Sequence, residues 1–154
     1  MRQDATDVVS SVPRATSAPG AASSDNAATK QLLILDDDKL FAESLGWSLR
    51  LRLPWCDVVV TSDPTEALGL IDDLTIDLLI TDLHLGVANC ITLLNEMASY
   101  PDTLALPKVI LSASGDRLDM VDLRKYGVSA IYDKKTYNFA DLVQAIRRLL
   151  GDGN

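Results

Sequence analysis

Five short apolar runs, each followed at once by an acid or a hydroxyl, with a lysine one residue beyond the last, constrain this chain more than any other feature. They lie at residues 31–35, 58–61, 77–81, 108–111 and 130–132, and between them run longer stretches with helical spacing. Runs with interiors this apolar belong to strands buried on both faces, the condition of a parallel sheet covered by helices on each side. The first helix is expected over about 40–51, where Leu40, Phe41, Leu45 and Leu49 recur at helical intervals and Pro54 ends the stretch. The second enters through Pro64, with Ser62 or Asp63 as its cap and Ala67, Leu68 and Ile71 as its apolar stripe. Further helices are expected over 91–98, 118–125 and 139–150. Five βα units predict an α/β, flavodoxin-like doubly wound (βα)5 fold, a three-layer sandwich with a central five-stranded parallel sheet. In such a sheet ligands bind beyond the carboxyl ends of the strands.

The rest of the sequence bounds what surrounds that unit. Residues 1–29 hold Ala, Ser, Thr, Asp and Pro with few large apolar side chains, so burial cannot offset the entropy of ordering them, and a disordered tail is expected before a folded domain at 30–151. No output domain is expected after it. No apolar run approaches the roughly 18 residues of a membrane span, and no signal-peptide core is present near Val8 and Val9, so the expected location is the cytoplasm. A net charge of −8 without a Lys/Arg stripe disfavours direct nucleic-acid binding. Cys56 and Cys90 lack metal-type spacing and read as reduced, partly buried thiols.

The chemistry sits at the strand ends. Asp36, Asp37 and Asp38 follow the first strand directly in LLILDDDKLF. Taken alone, one of them could cap the first helix while the others are solvated. Like charges a few Å apart, however, repel by about 4 kcal/mol at an effective dielectric near 20, and a divalent cation would relieve that. Asp82 follows the third strand in IDLLITDLHLG, Ser112 closes the fourth in KVILSAS, and Lys134 follows the fifth in DKK. Each has an ordinary reading as a turn former or surface group. Together they converge on one cleft with metal ligands, a carboxylate nucleophile, a hydroxyl and a cation suited to a phosphoryl group.

LILDDDKLFAESL, LLITDLHLG, VILSAS and GVSAIYDKK resemble, in order, the four motifs of the receiver domain of response regulators in two-component systems, over about residues 30–150. The intervals are similar too: 45 residues from Asp37 to Asp82, 30 to Ser112 and 22 to Lys134. The resemblance implies phosphorylation of Asp82 by a sensor histidine kinase or histidine phosphotransfer protein. It implies Mg²⁺ held by Asp36, Asp37, Asp82 and the backbone carbonyl of His84, with Asp37 the expected direct ligand. Lys134 would neutralise phosphoryl charge, and Ser112 would report the phosphate to the face made by the fourth helix, fifth strand and fifth helix, a candidate homodimer surface. The signal would then pass to an unidentified downstream protein. On this reading the chain is a phosphoacceptor and not a conventional enzyme. The segment LDDDKLFAESL also looks like receivers that precede helix-turn-helix output domains, so a receiver cut from a longer regulator stays open.

Several positions depart from that family. Gly86-Val87 stands where Pro-Gly is usual, Cys90 replaces a glycine, Lys135 takes the place of a frequent proline, and Ile131, followed by Tyr132, occupies the position of a switching aromatic. His84, the lone histidine, is read as a loop residue and not as catalytic. Two other readings are weighed. A haloacid-dehalogenase-like phosphatase would use Asp36-x-Asp38 with Asp36 as nucleophile, but needs an acidic pair after its lysine, where only Asp141 and Asp152 stand. A pseudo-receiver would bind partners without phosphorylation.

Overall fold

Each apolar run becomes a parallel strand in the computed structural model, which describes residues 29–85, 88–113 and 120–151. The strands are β1 (Lys30–Leu35), β2 (Cys56–Thr61), β3 (Leu78–Thr81), β4 (Lys108–Ser112) and β5 (Val128–Asp133). They form one sheet in the order β2-β1-β3-β4-β5, all pairs parallel. The helices are α1 (Lys39–Arg52), α2 (Pro64–Asp73), α3 (Cys90–Ala98), α4 (Met120–Arg124) and α5 (Phe139–Leu150). Strand order reverses between β1 and β3, so the carboxyl ends of these two strands open onto the same crevice.

Alternate strand residues feed two cores. Leu32, Ile34, Val58, Leu78, Ile80, Val109 and Leu111 pack with α1 and α5, while Leu33, Leu35, Leu79, Ile110 and Val128 pack with α2, α3 and α4. That division is the three-layer sandwich expected from the sequence. The buried stripe of α1 is Ala42, Leu45, Gly46 and Leu49. Leu40, expected in that stripe, is instead 83% exposed, because it points away from the side carrying Ala42 and Leu49. Gly46 has a packing reason: a Cβ there would lie 3.1 Å from the Val60 side chain, so glycine lets α1 settle onto β2.

Caps follow the local chemistry. Asp63, not Ser62, caps α2 by accepting the Thr65 N–H at 2.8 Å, with Pro64 in the first turn. Asn138 accepts the Ala140 N–H at the start of α5, and Gly151 closes that helix at φ 76°. Asp77, expected in the third strand, precedes it, and its carboxylate takes the Gln31 N–H and pairs with Lys30.

Two elements were not anticipated, a two-residue antiparallel ribbon pairing His84–Leu85 with Ala88–Asn89 and a single-turn helix at Pro101–Ala105. The latter explains Lys108, which is fully buried at the base of β4. Its ammonium donates to the carbonyls of Thr103 and Leu106, both at 2.7 Å, and to Leu104 at 3.4 Å. Gly127 packs against the same carbonyls at φ 78°, where a Cβ would stand 2.4 Å from the Leu104 oxygen. Among the described residues no helix is long and apolar enough to cross a membrane. The tail expected at residues 1–29 lies, apart from Thr29, outside the described residues, as do Gly86, Val87, Asp152 and the first part of the expected fourth helix.

Candidate functional site

The register of the sheet brings the chemistry-bearing residues to one edge. Leu35 pairs with Thr81 in β3, so the next residues, Asp36 and Asp82, emerge side by side. Ser112 pairs with Asp133 across β4 and β5, which sets Lys134 one step beyond, and the Lys134 N–H donates to the Ser112 carbonyl at 2.9 Å. Asp36, Asp82 and Ser112 are all buried, at 2%, 6% and 3% exposure, whereas Asp37 is exposed.

Carboxylate oxygens of Asp36, Asp37 and Asp82 lie within 4.8 Å of one another. Hard anionic oxygens gathered this closely suit a small divalent cation such as Mg²⁺, which takes one or two carboxylates and keeps several waters. Opposite them, the Lys134 ammonium stands 2.5 Å from an Asp36 oxygen and 2.7 Å from an Asp82 oxygen. Burial works to lower the Lys134 pKa, but the hydrogen bonds and charges of Asp36 and Asp82 outweigh it and hold the lysine above its ordinary value. Burial pushes the Asp36 carboxyl up, which Lys134 and the Asp38 N–H offset only in part, and the Asp82 charge adds to the rise. Lys134 therefore sits here as a cation shared between two acids.

Backbone and neighbouring side chains orient the acids. The Asp38 N–H donates to Asp36 Oδ1 at 2.9 Å, and the His84 N–H donates to Asp82 Oδ1 at 3.2 Å. The Thr81 hydroxyl donates to the Asp82 carbonyl at 3.0 Å. Asp38 belongs to the helix, since its carboxylate caps α1 by accepting the Phe41 N–H at 3.0 Å. Of the run of three acids, then, two join Asp82 and the third caps, and Asp38 is engaged away from the role a dehalogenase-like acid pair would require. Asp36 also lines a cleft of about 320 Å³ between α1 and the start of α2, with Lys39, Glu43 and Glu66 on its walls.

The atypical positions have local accounts. Cys90 begins α3 fully buried, with its sulfur 4.0 Å from the Thr81 hydroxyl and its thiol pushed up to about 11 by burial. Lys135 uses the N–H that a proline would lack, donating to Asp133 Oδ1 at 2.7 Å. Ile131 is half-buried against the α3 side of the sheet and Tyr132 against the α1 side. The His84 side chain is exposed. Sequence reasoning did not place Phe41 at this site, where its ring faces Lys134; nothing local marks a contact between residues so far apart in the chain.

A family model described as the response regulator receiver domain matches residues 32–147. No curated protein sequence matches. Among solved structures, a putative response regulator from Chloroflexus aurantiacus is 30% identical with a TM-score of 0.66, covering 79% of this chain and 97% of that one. A response regulator receiver protein from Pseudomonas putida is 24% identical with a TM-score of 0.70, over 79% and 98%. The response regulator TrrA from Thermotoga maritima, solved in complex with Mg²⁺-BeF, is 21% identical with a TM-score of 0.66, over 79% and 99%.

Proposed function

The chain belongs to the response regulator receiver domain family, and from that premise we propose that it is a Mg²⁺-dependent switch that accepts a phosphoryl group on Asp82. The observation that carries this reading is the buried Asp82 carboxylate sharing one lysine ammonium with Asp36, inside a cluster of three acids. Asp36, Asp37 and Asp82, with the backbone carbonyl of His84, would hold the metal, in keeping with the Mg²⁺-BeF complex of the Thermotoga maritima relative. When bound, Mg²⁺ supplies charge neutralisation and a template for phosphoryl oxygens.

An Asp82 oxygen attacks phosphorus, the bond from phosphorus to the donor nitrogen or oxygen breaks, and the donor leaves with that electron pair. Asp82 is suited to this because its other contacts, the His84 N–H and Lys134, leave the carboxylate oriented rather than rotating. Lys134 lies where negative charge gathers on the transferring group, so its share of catalysis is electrostatic. On this reading Ser112, at the end of β4, supplies the hydroxyl that answers the new phosphate and biases the face of α4, β5 and α5.

The donor is a protein, a sensor histidine kinase or a histidine phosphotransfer protein. Leu40, Trp47 and Leu51 support this: they fall on one line along α1, beside the site, and are 83%, 65% and 67% exposed. An apolar helical stripe of this kind suits docking against partner helices. Stopped-flow fluorescence of Trp47 and Trp55 on addition of beryllofluoride tests the switch, with a saturable change expected only when Mg²⁺ is present. No change with the fold intact would favour a receiver-like module that binds partners without phosphorylation.

A further inference from the structure

Phe41 lies half-buried in the first turn of α1, and the centre of its ring is 4.6 Å from the Lys134 ammonium. That ammonium already has Asp36 on one side and Asp82 on another, so the ring face closes a third. The Lys134 side chain is only 11% exposed, leaving little water to compete. A cation over an aromatic face is attracted by the ring quadrupole, more strongly as water is removed. Lysine also carries a flexible four-carbon stem whose freedom has to be restricted if its charge is to stay at one point.

The backbone that carries the ring is held by the acid run. Asp38 accepts the Phe41 N–H, and the Asp38 N–H donates to Asp36. One short segment therefore supplies an acid that pairs with Lys134, a cap that fixes the first turn of α1, and the ring over the same lysine. We propose that Phe41 is a positioning residue for phosphoryl transfer, its ring holding the Lys134 ammonium at the point shared by Asp36 and Asp82. Phe41 acts through Lys134 and touches no reacting atom. This inference rests on Asp82 being the phosphoryl acceptor.

The test replaces Phe41 with phenylalanines carrying one, two and three ring fluorines, which withdraw charge from the ring face with little change of shape. Phosphorylation by acetyl phosphate and Mg²⁺ is followed by intact mass, and the Lys134 ε-methylene protons are followed by NMR. The rate is expected to fall stepwise with fluorination, by on the order of tenfold across the series. Phe41→Tyr should stay close to wild type, and Phe41→Leu should lose both rate and the upfield ring-current shift of Lys134. A wild type that is phosphorylated beside a flat fluorination series would overturn this inference alone. An unphosphorylated wild type would overturn the proposed function and this inference with it.

Discussion

Replacing Lys134 with Met takes the cation from between Asp36 and Asp82, and the structure sets the size of the effect. The three side chains are 11%, 3% and 7% exposed, so solvent does little to screen the two acids once the lysine is gone. Opposite unit charges 4 Å apart attract by about 4 kcal/mol at an effective dielectric of 20. Removing one partner of a buried pair typically costs about 3–5 kcal/mol. Burial already pushes the Asp36 carboxyl up, and Lys134 is the largest of the influences that offset it. A net loss of about 3 kcal/mol at neutral pH follows. The variant site is also more negative by one charge, so it should bind Mg²⁺ on the order of tenfold more tightly. Ligand linkage then makes millimolar Mg²⁺ restore more stability to the variant than to wild type. Urea unfolding read by Trp47 and Trp55 fluorescence, with and without Mg²⁺, measures both. Equal midpoints without metal, or equal gains from metal, would refute the electrostatic account of the site.

Three other expectations concern the scaffold. Burial lowers the Lys108 pKa from 10.5 to about 8, so between those values the unfolded chain holds a proton that the folded chain has released. The Lys108 contribution to stability should therefore rise with pH across that window by up to about 3 kcal/mol, read in pH-dependent denaturation as the difference in slope between wild type and Lys108→Met, since the two thiols raised from 9.0 to about 11 act in the opposite direction. Gly127→Ala should cost about 2–3 kcal/mol in a denaturant midpoint assay, since its φ is positive and its Cβ would meet the Leu104 carbonyl at 2.4 Å. Cys56 and Cys90, buried and both pushed up to about 11, should resist a thiol reagent in the native protein and react on unfolding; rapid native labelling would contradict their burial.

What the sequence made legible follows from which forces are local. Buried parallel strands read as unbroken apolar runs, so all five appeared, and the polar residue ending each marked the sheet edge where Asp36, Asp82, Ser112 and Lys134 stand. Edges of elements were less legible: β2 begins at Cys56 rather than 58, because a turn through Pro54 and Trp55 delivers the chain to the sheet directly. The helix at Pro101–Ala105 carried a signal, proline at its first position followed by Asp102, but is only one turn long. Leu40 and Lys108 reverse ordinary expectation, an exposed leucine and a fully buried lysine. Lys108 is buried because three carbonyls from that unforeseen turn receive its ammonium, an arrangement only the tertiary fold supplies. The contact of Phe41 with Lys134 was hidden for the same reason.

Reduction of the phosphorylated protein with borohydride identifies the acceptor chemically, because it converts an aspartyl phosphate to homoserine and fixes the residue by peptide mass. After acetyl phosphate and Mg²⁺, the conversion is expected at Asp82 alone and is expected to vanish in Asp82→Asn. Homoserine at Asp36 or Asp37 instead, or in the Asp82→Asn protein to the same extent, would contradict the assignment of Asp82 as the acceptor.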